Sequence, residues 1–289
     1  MAANARLKSL FLVPAALICC ALVLVAIFGI LSGGHDRLAW GGVLIANAVL
    51  PVLLAWLEFG RVPRTSEYLP FLLLTSGAGL VLVAWEVYAE GVAHWSLLVA
   101  AAAGVALLAL YVFWFSRFTR QPSDTLVVGR KLPAFDLRGA DGAVFRSVEL
   151  QGSPAVLVFY RGNWCPLCVA QLRELASRHE DLTALGAKVM LVSPQEPAHA
   201  RRMADLLGIP FQFLVDEGNR LASDFGIALR NGVPRGLPGG HGPDTVMPTV
   251  VVVNAGGTIV YVDQTDNYRV RPEPDMYLAI LRRAGAIAR

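Results

Sequence analysis

The stretch AVLVFYRGNWCPLC, residues 155–168, decides the fold of the second half of this chain. Ala155–Tyr160 is a continuous apolar run without alternation, which predicts a central β-strand covered on both faces. Pro166 stands where a first-turn proline belongs, and apolar residues from Cys168 onward recur at helical spacing. A buried strand therefore leads directly into a helix, and Cys165 is predicted at the N-terminus of that helix.

Two cysteines separated by two residues at the start of a helix suit thiol chemistry. The thiolate is the reactive form, and a free thiol with a pKa near 8.5 is mostly protonated at neutral pH. Helix amides and the positive end of the helix dipole are expected to lower the pKa of Cys165. Cys168, one turn later, can attack a mixed disulfide or sulfenate at Cys165. We therefore predict Cys165 as the nucleophile and Cys168 as the resolving thiol, with no cofactor besides this pair.

Two other roles for the pair remain open. A zinc knuckle would need two more ligands at matching spacing, but the chain has no second CxxC and its histidines show no HxxxH spacing. A purely structural disulfide, or an inert pair, is the other alternative.

The sequence around this stretch predicts an α/β domain over residues 125–289. Strand patterns alternate with helical ones, and the paired glycines at 256 and 257 predict a hairpin turn. A final helix is predicted from Pro274. Further strands are predicted at Lys188–Ser193, Phe211–Val215, Val250–Asn254 and Thr258–Asp263. Strands with helices on both sides, plus a terminal antiparallel pair, are the components of a thioredoxin-like fold.

Pro248 directly precedes the predicted strand VVVVN. A proline there removes a backbone donor and suits a cis peptide bond that lays backbone against the dithiol. The alternative is an ordinary proline at the entry of a strand. The order of the CxxC helix and this element favours the cis form, so Pro248 is predicted as a supporting residue.

The chain as a whole is too apolar for an ordinary soluble protein of its size, so part of it is expected to lie in lipid. Its 289 residues are 55% hydrophobic and 16% charged, with a mean hydropathy of +0.52. Residues 1–120 hold four apolar runs, at about 10–31, 38–57, 69–87 and 95–115, each near the roughly 20 residues that span a bilayer. Tryptophan and tyrosine cluster near the run ends. We predict a four-helix membrane domain in contact with the lipid bilayer.

The basic residues beside these runs predict the orientation. Lys and Arg precede the first run, lie between the second and third, and follow the fourth, whereas the other two connections hold only Arg37. The positive-inside rule therefore places both termini and the α/β domain in the cytoplasm. We predict an integral multi-pass protein of the inner membrane. The opposite topology stays open. A net charge of +3, scattered along the chain, gives no support for nucleic-acid binding.

The second half resembles the redoxins, and among them the peroxiredoxin-like branch of the alkyl hydroperoxide reductase/thiol-specific antioxidant group. The resemblance covers residues 125 to 287. It depends on Val128–Leu137 (VGRKLPAFDL), on Phe159–Cys168, on Ser193-Pro194-Gln195 and on Asp263–Pro274 (DQTDNYRVRPEP). It implies a thioredoxin fold, antioxidant activity, a peroxide or protein disulfide as substrate, and a thiol reductant such as thioredoxin or a low-molecular-weight thiol as partner.

One departure from that group concerns the peroxide site. Its peroxidases place a Thr or Ser three residues before the peroxidatic cysteine, where this chain has Gly162. Arg161, or Arg230 or Arg235, could supply positive charge near the sulfur instead. Trp164 beside Cys165 is the dithiol-exchange arrangement of thioredoxins.

Three functions are therefore open. The first is a membrane-anchored thiol-dependent oxidoreductase that reduces peroxides or disulfides with its CxxC pair. The second is a thioredoxin-like reductase of protein disulfides without peroxidase activity. The third is a non-catalytic membrane redox sensor or scaffold. An electron relay through the membrane is disfavoured, because Cys19 and Cys20 are adjacent and face different sides of a helix.

Overall fold

The structure is a computed structural model that describes residues 2–32, 36–89, 95–237 and 242–287. The chain divides into two compact units. The helical unit comprises Leu10–Gly60 and Thr65–Arg117, and the α/β unit comprises Met1–Ser9, Arg61–Arg64 and Phe118–Arg289.

Four long helices make up most of the first half of the chain: α1 (Ala2–Leu31), α2 (Arg37–Phe59), α3 (Pro70–Ala89) and α4 (Trp95–Leu110), which continues as a π-helical turn over Tyr111–Phe115. Each predicted apolar run falls on one of these helices. By length and composition, all four are long and apolar enough to cross a membrane. The prediction of four helices is confirmed, and their insertion in a bilayer remains a prediction.

Small residues let α2, α3 and α4 approach closely. A Cβ at Gly42 would lie 2.6 Å from the Gly79 carbonyl oxygen, and a Cβ at Gly104 would lie 2.7 Å from that of Ala46. The fully buried Asn47 donates from Nδ2 to the carbonyl of Ala100, at 3.1 Å. These contacts assign Asn47 and the glycines to the packing of the three helices.

In the part of the chain that the structure describes, the α/β unit is built on nine strands and five helices. In chain order they are β1 (Asp136–Gly139), β2 (Val144–Arg146), β3 (Ala155–Phe159), α5 (Pro166–Ala176), α6 (His179–Ala184), β4 (Lys188–Ser193), α7 (Pro197–Leu207), β5 (Gln212–Val215), α8 (Arg220–Asp224), β6 (Ala228–Leu229), β7 (Thr245–Val246), β8 (Thr249–Val253), β9 (Ile259–Asp263) and α9 (Pro274–Ile287). Short 3₁₀ turns cover Ser147–Leu150 and Glu217–Asn219.

Seven strands form one sheet in the order β2-β1-β5-β4-β3-β8-β9, while β6 and β7 pair separately. β3 runs parallel to β4, and β4 parallel to β5, whereas β8 is antiparallel to β3 and β9 to β8. Every residue of β3 and β8 is buried, as expected of central strands covered on both faces. This arrangement is the predicted thioredoxin-like fold.

The sequence analysis placed the central strands and the hairpin correctly but missed the edge. β1 and β2 at the rim of the sheet and the short β6–β7 pair carry too few residues to show a period. In the β8–β9 turn, Gly257 has a φ of +76°, which explains the glycine at that position.

Candidate active site

The two cysteines lie where β3 leads into α5. Cys165 is the N-cap of α5 in extended conformation, with φ −99° and ψ 104°, and Pro166 is the first helical residue. The sulfurs of Cys165 and Cys168 lie 2.8 Å apart, at hydrogen-bond distance, and both cysteines are free thiols. Cys165 is 2% exposed and Cys168 is fully buried. The structure therefore brings together the two predicted site residues in a dithiol sheltered from solvent.

A buried arginine from the segment before α9 contacts both sulfurs. Nη2 of Arg271 lies 3.4 Å from Sγ of Cys168 and 3.9 Å from Sγ of Cys165. Its other donors are held by neutral acceptors, since Nη1 donates to Oε1 of Gln171 at 2.7 Å and Nε to the Tyr268 carbonyl at 3.0 Å. These bonds fix the guanidinium against the dithiol.

Arg161 supplies a second positive charge, as predicted. Its side chain is buried, and its Nη2 donates to the Gly232 carbonyl at 2.6 Å. The guanidinium lies over the Trp164 ring at 4.5 Å and near the Tyr268 ring at 5.2 Å. Trp164 thus packs on the arginine, a cation–π contact that holds this charge in place.

The charge distribution differs from the sequence prediction, which gave the lowered pKa to Cys165. Burial opposes ionisation of Cys168, but its hydrogen bond with Cys165 and the charges of Arg271 and Arg161 outweigh burial and lower its pKa to about 5. Burial and the neighbouring sulfur raise the pKa of Cys165. In this structure the thiolate therefore lies on Cys168.

The physical reason lies in the position of each sulfur. Although Cys165 is the N-cap of α5, its side chain makes no capping hydrogen bond to the helix, so the helix amides do not hold its charge directly. Arg271 lies closer to Cys168 than to Cys165. The anion is held by the hydrogen bond with Cys165 and by the guanidinium groups of Arg271 and Arg161, not by the amides of the helix that begins there.

The loop before Cys165 is held by a network of neutral side chains. Oε1 of Gln195 accepts from the Asn163 backbone amide at 2.9 Å, and Nε2 of Gln195 donates to the Tyr160 hydroxyl at 2.9 Å. Asn163 in turn donates from Nδ2 to the His199 carbonyl at 2.7 Å. The conformation of this loop is therefore tied to β3 and to α7.

The position three residues before Cys165 has no space for a hydroxyl side chain. Gly162 has a φ of +141°, and a Cβ there would lie 2.7 Å from Nε1 of Trp164 and 3.1 Å from Oε1 of Gln195. The missing Thr or Ser is thus part of a different loop geometry and not a single altered residue.

The prediction of a cis peptide bond at Pro248 is wrong, because the Met247–Pro248 bond is trans. Only two residues separate β7 from β8, and the Met247 amide bonds the Ile227 carbonyl at 2.8 Å, so the chain stays extended. The Pro248 carbonyl accepts a hydrogen bond from Nη1 of Arg120 at 3.1 Å. Pro248 is therefore a proline at the entry of a strand.

Sequence reasoning missed Arg271 and Gln171. Arg271 lies 106 residues from Cys165 along the chain, and only folding brings the two together. A signal was present, since Tyr268-Arg269-Val270-Arg271-Pro272 places two arginines next to apolar residues, and both arginines are buried. Arg230 and Arg235, the other predicted cations, are exposed and do not act on either sulfur in the described part of the chain.

The sheet order defines a domain with a thioredoxin fold, and the paired cysteines follow its strand β3. Residues 128–262 match the AhpC/TSA family, and this domain is similar to peroxiredoxins.

The chain is also similar to known proteins over this domain. The chain is 29% identical over 99 residues to "Peroxiredoxin Q, chloroplastic" of Populus jackii. These residues make up 34% of this chain and 46% of that protein. The chain is 28% identical over 103 residues to "Peroxiredoxin Bcp" of Bacillus subtilis, or 36% of this chain and 66% of that protein. The chain thus spans about half the length of the chloroplastic relatives. A crystal structure of Peroxidoxin BcpB from Mycobacterium tuberculosis aligns with 56% of this chain and 98% of its own, at 21% identity and a TM-score of 0.45.

Proposed function

We propose that this protein is a membrane-anchored thiol oxidoreductase that reduces peroxides by cycling Cys165 and Cys168 between dithiol and disulfide. The observation that carries the proposal is the buried dithiol beside two guanidinium groups. Such surroundings keep one sulfur ionised at neutral pH, and the thiolate is the reactive form of cysteine. The AhpC/TSA domain supports the same class of chemistry.

The reaction can be written from the residues at the site. As Cys165 attacks the peroxide oxygen, the Cys168 thiolate takes up the Cys165 proton across the 2.8 Å that separates their sulfurs. The O–O bond breaks, Cys165 becomes a sulfenic acid, and the departing alkoxide takes the proton from Cys168 and leaves as the alcohol. Cys168, again a thiolate, attacks the Cys165 sulfur and releases hydroxide, which closes the disulfide. Arg271 faces both sulfurs and stabilises the negative charge throughout.

A protein disulfide is the second candidate substrate, and one observation favours it. Trp164 directly precedes the dithiol and is partly exposed, the arrangement that resembles thioredoxins, whereas Gly162 leaves no hydroxyl to orient a peroxide. The buried guanidinium groups favour peroxide, because they supply hydrogen-bond donors and positive charge at the place where the peroxide oxygen develops charge.

The membrane and the compartment belong to the proposal as well. The four helices would anchor the AhpC/TSA domain at the inner membrane of the cell, with that domain on the cytoplasmic side. There a reducing environment keeps the pair as thiols, and a thiol such as thioredoxin or a low-molecular-weight thiol would return it to the reduced state. A reporter fused after Arg289 tests the side of the membrane.

Stopped-flow kinetics on the reduced full chain in detergent micelles test the substrate. One equivalent of hydroperoxide consumed per dithiol, with disulfide formation between Cys165 and Cys168, supports the peroxidase. Reduction of insulin without consumption of peroxide would instead support the disulfide reductase. With Cys168→Ser, a sulfenic acid trapped at Cys165 by dimedone identifies the attacking sulfur. If the reduced wild-type chain shows neither peroxide consumption nor insulin reduction, the proposal is contradicted.

A further inference from the structure

One ionised sulfur of the dithiol balances the positive charge of two buried arginines. Among the described residues, neither Arg271 nor Arg161 forms an ion pair with a carboxylate, and their hydrogen-bond acceptors are neutral apart from the sulfurs. Among the described residues, Tyr160, Tyr268 and Tyr277 also lie near them, and burial raises the pKa of Tyr160 and of Tyr277, so these two hydroxyls stay neutral. One thiolate is therefore the anion that faces both cations.

Oxidation removes this anion. When Cys165 and Cys168 form a disulfide, the pair carries no charge, and the two guanidinium groups remain in a place that is about 95% buried. A buried charge without a partner is costly, and it is far more costly than an exposed one. The surroundings thus stabilise the reduced pair and destabilise the disulfide.

We propose that Arg271 and Arg161 make this pair an oxidising couple, so that a weakly reducing monothiol is sufficient as its electron donor and protein disulfides are poor acceptors. The inference rests on the proposed function, since it requires a reversible dithiol/disulfide cycle. It also decides between the two candidate substrates, because a couple that holds its electrons tightly gives them to a peroxide and not to an ordinary structural disulfide.

Two donor thiols reduce the protein disulfide in two exchange steps. One donor thiolate attacks the Cys165–Cys168 disulfide and forms a mixed disulfide, and a second donor thiol then displaces the protein sulfur. Two donor thiols are oxidised to one donor disulfide, and the protein disulfide gains two electrons. Of the two protons released by the donors, one remains on Cys165 and the other goes to solvent, because Cys168 stays ionised beside Arg271.

This balance gives a measurable signature in the unaltered protein. If one proton is released to solvent, the equilibrium constant for reduction by glutathione rises tenfold for each pH unit between pH 6 and pH 8. If both sulfurs end protonated, that constant does not change with pH. The full chain in detergent is equilibrated with glutathione buffers and then alkylated. Mass spectrometry quantifies the reduced and oxidised forms of the peptide that contains Cys165 and Cys168. Because only this peptide is measured, Cys19 and Cys20 do not contribute.

Arg271→Met tests the residue itself. Because Cys168 has a pKa of about 5, loss of the charge that keeps it ionised is expected to lower the equilibrium constant by about a hundredfold at pH 7, tenfold for each of two pH units. Its pH dependence is expected to flatten. Arg282→Met is the matched control, since it removes the same charge from an exposed position of α9 and should leave the constant unchanged.

The outcomes separate the inference from the proposed function. A constant independent of pH in the wild type, or equal constants for the wild type and a folded Arg271→Met, would overturn the inference. If Arg271→Met fails to fold, the wild-type pH dependence alone decides. Failure to form any reversible disulfide at any glutathione ratio would instead overturn the proposed function.

Discussion

The chain holds two pairs of cysteines, and their surroundings are opposite. Cys19 and Cys20 are neighbours on α1, where one is buried and the other exposed, within a helix apolar enough to lie in lipid. Cys165 and Cys168 are both buried, one helical turn apart, and share the guanidinium of Arg271. The same side chain is thus a small hydrophobe in one unit and half of a charged dithiol in the other.

The difference shows which cysteine pair suits the proposed redox chemistry. Spacing brings two sulfurs into reach, since residues three apart share one side of a helix whereas adjacent ones do not. Charge then keeps one sulfur ionised. The pair in α1 has neither condition, and the pair at α5 has both.

The largest effect is expected from removing the nucleophile. Cys165→Ser should abolish both hydroperoxide consumption and insulin reduction, because the remaining sulfur, on Cys168, is fully buried and has no second thiol with which to form the disulfide. The double variant Cys19→Ser/Cys20→Ser should keep the wild-type rate in the same stopped-flow assay. If both variants lose activity to the same extent, the two cysteine pairs do not differ in function as inferred here.

The next effect concerns the ionisation of Cys168. Its pKa is lowered, so the thiolate is present at neutral pH and is lost as the pH falls through about 5. Thiolate absorbance near 240 nm should therefore show a transition near pH 5 in the wild-type protein, and Arg271→Met should move that transition up by several units. Serine at position 168 should eliminate it. A transition that appears only near pH 8.5 would show that the arginines do not hold the charge.

A smaller effect is expected in the loop that shapes the site. Gly162→Thr restores the hydroxyl of peroxidases in sequence but forces a Cβ onto Trp164 at a strained φ. It should destabilise the protein by roughly 1–3 kcal/mol without raising the peroxidase rate. Gly152→Ala, at a φ of +81° with open space around it, is the control that separates backbone strain from the clash. Thermal unfolding measures the loss of stability, and peroxide kinetics measure the peroxidase rate. A faster peroxidase would contradict this view of the loop.

The smallest effect belongs to the helical unit. Asn47→Leu removes the hydrogen bond from α2 to the Ala100 carbonyl of α4, and it should cost roughly 0.6–2 kcal/mol in detergent. Thr75→Ala is the control, because its hydroxyl bonds only Phe71 within its own helix. Since Asn47 is assigned to packing, peroxidase activity at low temperature should not change. A loss of activity with unchanged stability would give Asn47 a functional role.

Much of this architecture was predictable from local pattern. The apolar runs, the uninterrupted β3, Pro166 at the first turn of α5 and the β8–β9 hairpin all express preferences that depend on a few neighbouring residues. The CxxC pair was predictable for the same reason, because two sulfurs one turn apart meet on any helix. Arg161 was within reach of such reasoning, since it lies four residues before Cys165.

The electrostatics of the site were decided by the tertiary structure. Arg271 reaches the sulfurs from the far end of the domain, and its position depends on Gln171 and Tyr268 as well as on the packing of α9. The ionisation of Cys168 follows from its hydrogen bond with Cys165 and from the Arg271 guanidinium, which lies 3.4 Å from the Cys168 sulfur and 3.9 Å from the Cys165 sulfur. The extended chain around Pro248 likewise depends on tertiary pairing, of β7 with β6 and of β8 with β3 and β9. Local sequence determines which elements form, whereas charges act through space and depend on distances that only the folded chain creates.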